Sequence, residues 1–336
     1  MKTKPKVFVS RKLPGTALEY ISRECEVDLW PNELPPPREA LLERVRGCEG
    51  ILTLLTDRID AEVMDASPCL RVISNYAVGY DNIDLAAADE RRIQVGNTPG
   101  VLTETTADLA FALLLAVARR IVEADRYTRS GQWRTWEPTL LLGQDVHHST
   151  LGLVGMGRIG REVAKRARGF DMTVQYFDAV RSQEAESKLG ARFVDLDTLL
   201  ATSDFVSIHV PLTEATRHLI GERELGLMKP TAILVNTSRG PVVDQRALYS
   251  ALRDQRIAGA GLDVFEKEPI PRDDPLLSLE NVVVAPHIGS ASVATRTKMA
   301  MMAAENLVEG VYCRPIPYKV NPEIDSDFRC CGLDCT

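Results

Sequence analysis

The chain has 336 residues, longer than one hydrophobic core usually organises, so two domains are expected. Its 45% hydrophobic and 26% charged content is that of a soluble globular protein, and a net charge of −7 with no basic stripe argues against nucleic acid as a partner. The longest apolar stretch, Leu109–Ala118, is too short to span a membrane, and Met1–Ser10 runs into a strand without the apolar centre of a secretory signal.

In chain order, residues 6–10 read as a strand, 15–25 as a helix, 26–29 as a strand and 38–47 as a helix. Residues 50–55, 72–74 and 93–95 supply further strands. Strands alternating with helices imply a parallel sheet with crossovers. Asn97-Thr98-Pro99-Gly100 then forms a strong turn signal. A helix is expected over 103–130, with more apolar surface than a solvent-facing helix needs, and an irregular segment with Trp133 and Trp136 follows it. From Thr150 a second βα series offers six strands, at 151–154, 174–177, 205–209, 232–236, 259–263 and 282–285, the count of a complete dinucleotide-binding sheet. A last helix is expected over 292–312, and its return to the first domain is the expectation that makes the second domain an insertion.

The expected fold is therefore α/β: two doubly wound parallel-sheet domains, with a Rossmann cofactor domain inserted in a flavodoxin-like substrate domain. The substrate domain is 1–98 with 291–336, and the cofactor domain is 99–290 including the helix 103–130. The active site is expected in the cleft between the two. Widely spaced Cys25, Cys48 and Cys69 fit reduced thiols of a cytoplasmic protein. Cys330, Cys331 and Cys335 cluster near the end, but nothing nearby completes four ligands, so no metal is expected.

Gly155, Gly157 and Gly160 follow one strand and open a helix. Glycines there permit a tight turn and close approach to a pyrophosphate, which rests on the helix N-terminus. Asp178, at the end of the next strand, is placed to accept hydrogen bonds from a ribose and to repel a 2′-phosphate. That favours NAD(H). NADP(H) stays open because Arg181 lies nearby. Downstream, Arg239, Glu268 and His287 each follow an apolar run. A guanidinium offers a fork of donors to a carboxylate and its neighbouring carbonyl. A carboxylate beside an imidazole orients it and favours its protonated form, which can give a proton to a ketone as hydride arrives.

The segments Gly155–Gly160, Asn236–Gly240, Gly261–Pro269 and Pro286–Ser290 resemble the D-isomer-specific 2-hydroxyacid dehydrogenase family, over roughly residues 5–320. Within that family the chain is most similar to glyoxylate and hydroxypyruvate reductases, with the closest stretches at 76–84 and 97–114. The resemblance implies NAD(P)H-dependent reduction of a small 2-oxo acid, with Arg239 binding substrate and His287 and Glu268 as the acid/base pair. It also implies that the backbone of Val78 and Gly79 holds the substrate carboxylate beside Leu54. Thr103, Arg158, Ile159, His209, Val210, Pro211, Thr237, Asp263, His287 and Gly289 would meet the cofactor. Asp263 also reads as a structural strand-end acid, and His209 as a plain strand residue. The resemblance further implies a homodimer through the 103–130 region, with Trp136 near the partner's substrate pocket; packing within its own subunit is the alternative. Valine rather than lysine at 78 and glutamate rather than glutamine at 268 set apart the phosphite and formate branches. A broad or D-lactate-type reductase and a dinucleotide-sensing corepressor-like protein remain as alternative readings.

Overall fold

The structure is a computed structural model and describes residues 4–321. The described residues divide into two compact units, 4–102 with 291–321, and Thr103–Ser290. Residues 99–102, expected with the cofactor domain, fall in the first unit. Asn97 and Thr98 are bonded into that unit, through Asn97 N–H to the Tyr318 carbonyl (3.0 Å) and Thr98 N–H to that of Ala77 (2.9 Å).

The first unit holds strands β1 (Lys6–Val9), β2 (Glu26–Leu29), β3 (Gly50–Thr53), β4 (Val72–Asn75) and β5 (Gln94–Gly96) in one parallel sheet of order β2-β1-β3-β4-β5. That is the flavodoxin-like doubly wound order. Alternate residues of each strand face opposite ways, and here both faces are buried. Val7 and Val9 pack with Leu52, Val72 and the helices α1 (Ala17–Glu24) and α12 (Val293–Val311). Phe8, Ile51 and Ile73 pack on the other side, among residues of α2 (Arg38–Arg44), α3 (Ala61–Asp65) and α4 (Leu85–Glu90).

The second unit begins with α5 (Thr103–Ala118) and α6 (Ile121–Arg129). Its strands are β6 (Thr150–Val154), β7 (Thr173–Phe177), β8 (Arg192–Phe193), β9 (Phe205–Ile208), β10 (Ile233–Asn236), β11 (Gly259–Leu262) and β12 (Val282–Val284). All pair parallel, in the order β12-β11-β10-β9-β6-β7-β8. This is the Rossmann order with one strand added. The sheet thus has seven strands rather than the six expected. The missed strand is β8, two exposed residues with no apolar run to announce it. The crossover helices are α7 (Arg158–Ala167), α8 (Gln183–Leu189), α9 (Leu196–Thr202), α10 (Glu222–Leu227) and α11 (Gln245–Arg253).

The helix expected over 103–130 is two helices. The Ala118 carbonyl, which a continuing helix would bond to residue 122, instead accepts the Gln144 N–H (2.8 Å), and Arg120 turns left-handed (φ 53°). The apolar surface of α5 is also used within the chain, because Ala107, Ala110, Phe111, Leu113 and Leu114 are buried in the core over the second sheet. The apolar side chains left exposed lie further on, at Ile121, Trp133, Trp136 and Leu142. Trp136 is 79% exposed, so it does not pack within its own subunit.

Cys25 and Cys48 are buried thiols whose burial pushes each pKa up to about 11. Cys69 and Cys313 are disulfide-bonded, which overturns the reading of Cys69 as a reduced thiol. The cluster at Cys330, Cys331 and Cys335 lies outside the described residues. Among the described residues no helix is long and apolar enough to cross a membrane.

Candidate active site

Because every strand of the second sheet is parallel, the carboxyl ends of β6, β7, β9, β10, β11 and β12 share one edge, where ligands of open α/β sheets bind. After β6 the chain turns through Gly155 (φ 103°), whose N–H bonds the Phe177 carbonyl (2.8 Å). A Cβ at Gly155 would stand 2.8 Å from the His209 backbone, and one at Gly160 would stand 2.2 Å from the Gly155 oxygen. Only glycine allows that loop to sit so close to α7. Gly157 caps α7 without a side chain, and nothing lies within 4 Å of where its Cβ would be. The first N–H groups of α7, from Arg158 and Ile159, thus lack a side-chain cap, as an anion site requires.

Asp178 lies just beyond β7. Its Oδ2 accepts the Met156 N–H (2.7 Å) and its Oδ1 that of Val180 (3.2 Å), tying the acid to the glycine loop. Arg181 does not stand beside it as a free cation, because Nε and Nη2 fork onto Glu186 at 2.7 and 2.8 Å. His209 follows β9 and bonds the Ser207 hydroxyl through Nε2 (2.9 Å). Burial of its ring pushes its pKa down to about 3, so the imidazole is neutral. Val210 and Pro211 continue from it toward the surface. Thr237 Oγ1 is buried with no hydrogen-bond partner among the described residues. The uncapped helix, the glycine cradle, the strand-end acid and this orphaned hydroxyl together fit a dinucleotide.

At the end of β10, Asn236 builds the turn that carries Arg239. Its Oδ1 accepts the Ser238 N–H and hydroxyl (both 3.0 Å), and its Nδ2 donates to the Arg239 carbonyl (2.9 Å). Gly240 follows, where a Cβ would fall 1.9 Å from the Phe265 backbone. Asp263, past β11, is 1% exposed. Its two oxygens accept the N–H groups of Ile288 (2.7 Å) and Gly289 (2.8 Å), and its own carbonyl accepts that of His287 (2.9 Å). The carboxylate therefore clamps the turn bearing His287, which is left-handed at φ 55°. Burial is the largest influence on Asp263 and raises its pKa, against those two N–H groups.

His287 Nδ1 lies 2.6 Å from Glu268 Oε2, and Glu268 Oε1 accepts the Phe265 N–H (3.0 Å). A carboxylate only accepts, so Nδ1 carries the proton in this bond. Nε2 then has no partner among the described residues and is the atom available to a reactant. Burial, the largest single influence on Glu268, pushes its pKa up. The bond and charge of His287, the Phe265 N–H and Arg239 together outweigh it and hold the acid below its usual range. Arg239, Glu268 and His287 thus follow strands at one edge of one sheet, with the imidazole held through Nδ1 by Glu268.

Thr103 opens α5, and the neighbouring Thr106 hydroxyl is buried without a partner among the described residues. In the first unit, Leu54 follows β3, and Val78 and Gly79 follow β4. Leu54 N–H donates to the buried Asp57 (2.8 Å), whose other partner is the Ser10 hydroxyl (2.5 Å). The carbonyls of Leu54, Val78 and Gly79 accept from the amides of Asn82 (3.1 Å), Asn97 (2.7 Å) and Asn75 (2.9 Å). Reading motifs along the chain missed these asparagines and Asn236. For Asn75, Asn97 and Asn236 the available signal was an Asn at or just after the end of a strand, close to a glycine; Asn82, inside the loop after β4, carried no such signal.

Residues 111–289 match the family described as D-isomer specific 2-hydroxyacid dehydrogenase, NAD binding domain. A glyoxylate reductase of Korarchaeum cryptofilum is 59% identical over 322 residues, 96% of this chain and 97% of that enzyme. A solved protein of Thermus thermophilus superposes with a TM-score of 0.89 at 50% identity, covering 94% of this chain and all of that one. An NADPH-dependent glyoxylate/hydroxypyruvate reductase of Sinorhizobium meliloti, solved with NADP and malonate, gives 0.81 at 32% identity, covering 95% and 97%.

Proposed function

The chain belongs to the D-isomer-specific 2-hydroxyacid dehydrogenase family, and from that membership we propose that it reduces glyoxylate or hydroxypyruvate to the D-2-hydroxy acid, with NADH favoured over NADPH. It is a D-2-hydroxyacid dehydrogenase, and its cofactor is a nicotinamide dinucleotide. The observation that carries the finer reading is the 2.6 Å contact of His287 Nδ1 with Glu268, which leaves Nε2 available. When bound, the reduced nicotinamide supplies the hydride. His287 Nε2 gives the proton to the carbonyl oxygen as that oxygen gains charge, and Glu268 stabilises the imidazolium beforehand. Arg239 binds the carboxylate and carbonyl as a fork, and the N–H groups of Val78 and Gly79 hold the carboxylate next to Leu54. Gly155, Gly157, Arg158, Ile159 and Gly160 hold the pyrophosphate, and Asp178 the ribose. His209, Val210 and Pro211 line the adenosine side, and Thr103, Thr237, Asp263 and Gly289 the nicotinamide side.

Asp178 supports NADH, and so does Arg181, whose fork is engaged by Glu186. The exposed Ile121, Trp133, Trp136 and Leu142 support a symmetric dimer in which Trp136 reaches the neighbouring subunit's substrate pocket. A cytoplasmic location belongs to the same reading. A steady-state assay that follows NADH absorbance with glyoxylate, hydroxypyruvate and pyruvate tests the substrate. Preference for pyruvate would make the enzyme a D-lactate-type reductase instead.

A further inference from the structure

The loop after β4 presents its peptide groups in an unusual one-sided way. The Ala77 carbonyl accepts the Thr98 N–H (2.9 Å), and the Val78 carbonyl accepts Asn97 Nδ2 (2.7 Å). Both peptides that follow these carbonyls are trans. In a trans peptide the N–H of the next residue points opposite to the carbonyl. Holding the two carbonyls inward therefore turns the N–H groups of Val78 and Gly79 outward, side by side. Neither N–H donates to any described residue. Two adjacent donors with no acceptor form a small anion-binding concavity.

Asn97 is itself held firmly. It is 8% exposed, its N–H bonds the Tyr318 carbonyl (3.0 Å), and its carbonyl accepts Asn306 Nδ2 (3.0 Å) from α12. Asn306 in turn accepts the Tyr318 N–H (3.0 Å) through Oδ1. A Cβ at Gly96 would lie 2.7 Å from Asn306 Nδ2, so glycine there lets α12 come close enough to make the bond.

We propose that Asn97 is a positioning residue for the substrate carboxylate: its amide holds the Val78 carbonyl and thereby aims the Gly79 N–H, while the Thr98 backbone does the same for the Val78 N–H. The inference rests on the reading of Val78 and Gly79 as the carboxylate site. A structural asparagine would hold the fold alone; a positioning one affects the oxo acid selectively.

The test compares wild-type enzyme with Asn97→Ala and Asn97→Asp, measuring KM and kcat for glyoxylate with NADH, the Kd for NADH and the melting temperature. We expect KM for glyoxylate to rise by roughly 10- to 100-fold, the range for hydrogen bonds to a charged group. We expect kcat to change less than KM, and NADH affinity to stay the same. If Asn97→Ala does not fold, the isosteric Asn97→Asp decides, because its carboxylate cannot donate to Val78. An unchanged KM in the folded variant overturns the proposal, and so does a parallel loss of KM, kcat, NADH affinity and stability. A wild type that turns over no 2-oxo acid overturns the underlying reading as well, and is seen before any variant is made.

Discussion

Arg181 and Glu186 form a closed fork: guanidinium Nε and Nη2 meet the two carboxylate oxygens at 2.7 and 2.8 Å, and Glu186 also accepts the Tyr176 hydroxyl at 2.9 Å. The cation nearest in sequence to Asp178 is thereby engaged by Glu186. Wild-type enzyme is expected to prefer NADH by kcat/KM. Asp178→Gly should shift that preference toward NADPH by at least about tenfold, since it removes a like-charge repulsion. Adding Glu186→Ala should shift it further by releasing Arg181. A wild type that prefers NADPH refutes the assignment of Asp178.

Glu268 is held below its usual range, so it stays ionised throughout the pH interval in which an imidazole titrates. A depressed acid keeps its pairing above its unfolded pKa and loses it only as pH falls through the lower folded value. Activity in the reductive direction should therefore persist on the acid side past the ordinary glutamate value of 4.5. In Glu268→Gln the charge is gone, and the basic limb of the kcat/KM profile should move to lower pH. Superimposable profiles for the two proteins would count against the pairing.

Arg239 sits on a turn that Asn236 fixes through three hydrogen bonds, so its direction is set by the backbone. Arg239→Lys keeps the charge but loses the planar fork. It should lower kcat/KM for glyoxylate by at least about 30-fold, the low end for truncating a bonded charge pair. Activity close to wild type would place substrate binding elsewhere.

The apolar groups exposed on the segment 121–142 predict a dimer in sedimentation at micromolar concentration. Trp136→Ala should remain dimeric while raising KM for at least one oxo acid. A monomeric wild type refutes the interface, and a dimeric variant with every KM unchanged refutes the pocket role.

The parallel sheets were legible because buried strands are centred on short apolar runs, Ile51-Leu52 within Gly50–Thr53 and Ile233-Leu234-Val235 within Ile233–Asn236. β8 left no such run, and a helical period carried across Arg119 and Arg120 hid the break that Gln144 imposes by capping Ala118. The short helices α3 and α4 escaped notice, although Asp60 and Asp84 cap them through Val63 and Ala87. His287 and Glu268 were legible as a pair since both follow strand ends of one sheet. The Asn97 bond to Val78 was not, because it joins residues 19 apart through an amide and a carbonyl that no periodicity marks. The engagement of both Asp263 oxygens by the His287 turn likewise needs coordinates to be seen.

The most direct test of His287 as the acid is turnover of glyoxylate with NADH by wild type and by His287→Ala, with NADH binding measured on both. The expected result is a loss of about 10²–10⁴-fold in kcat, the usual worth of a positioned general acid, with NADH affinity retained. Near-normal turnover by the variant would contradict it.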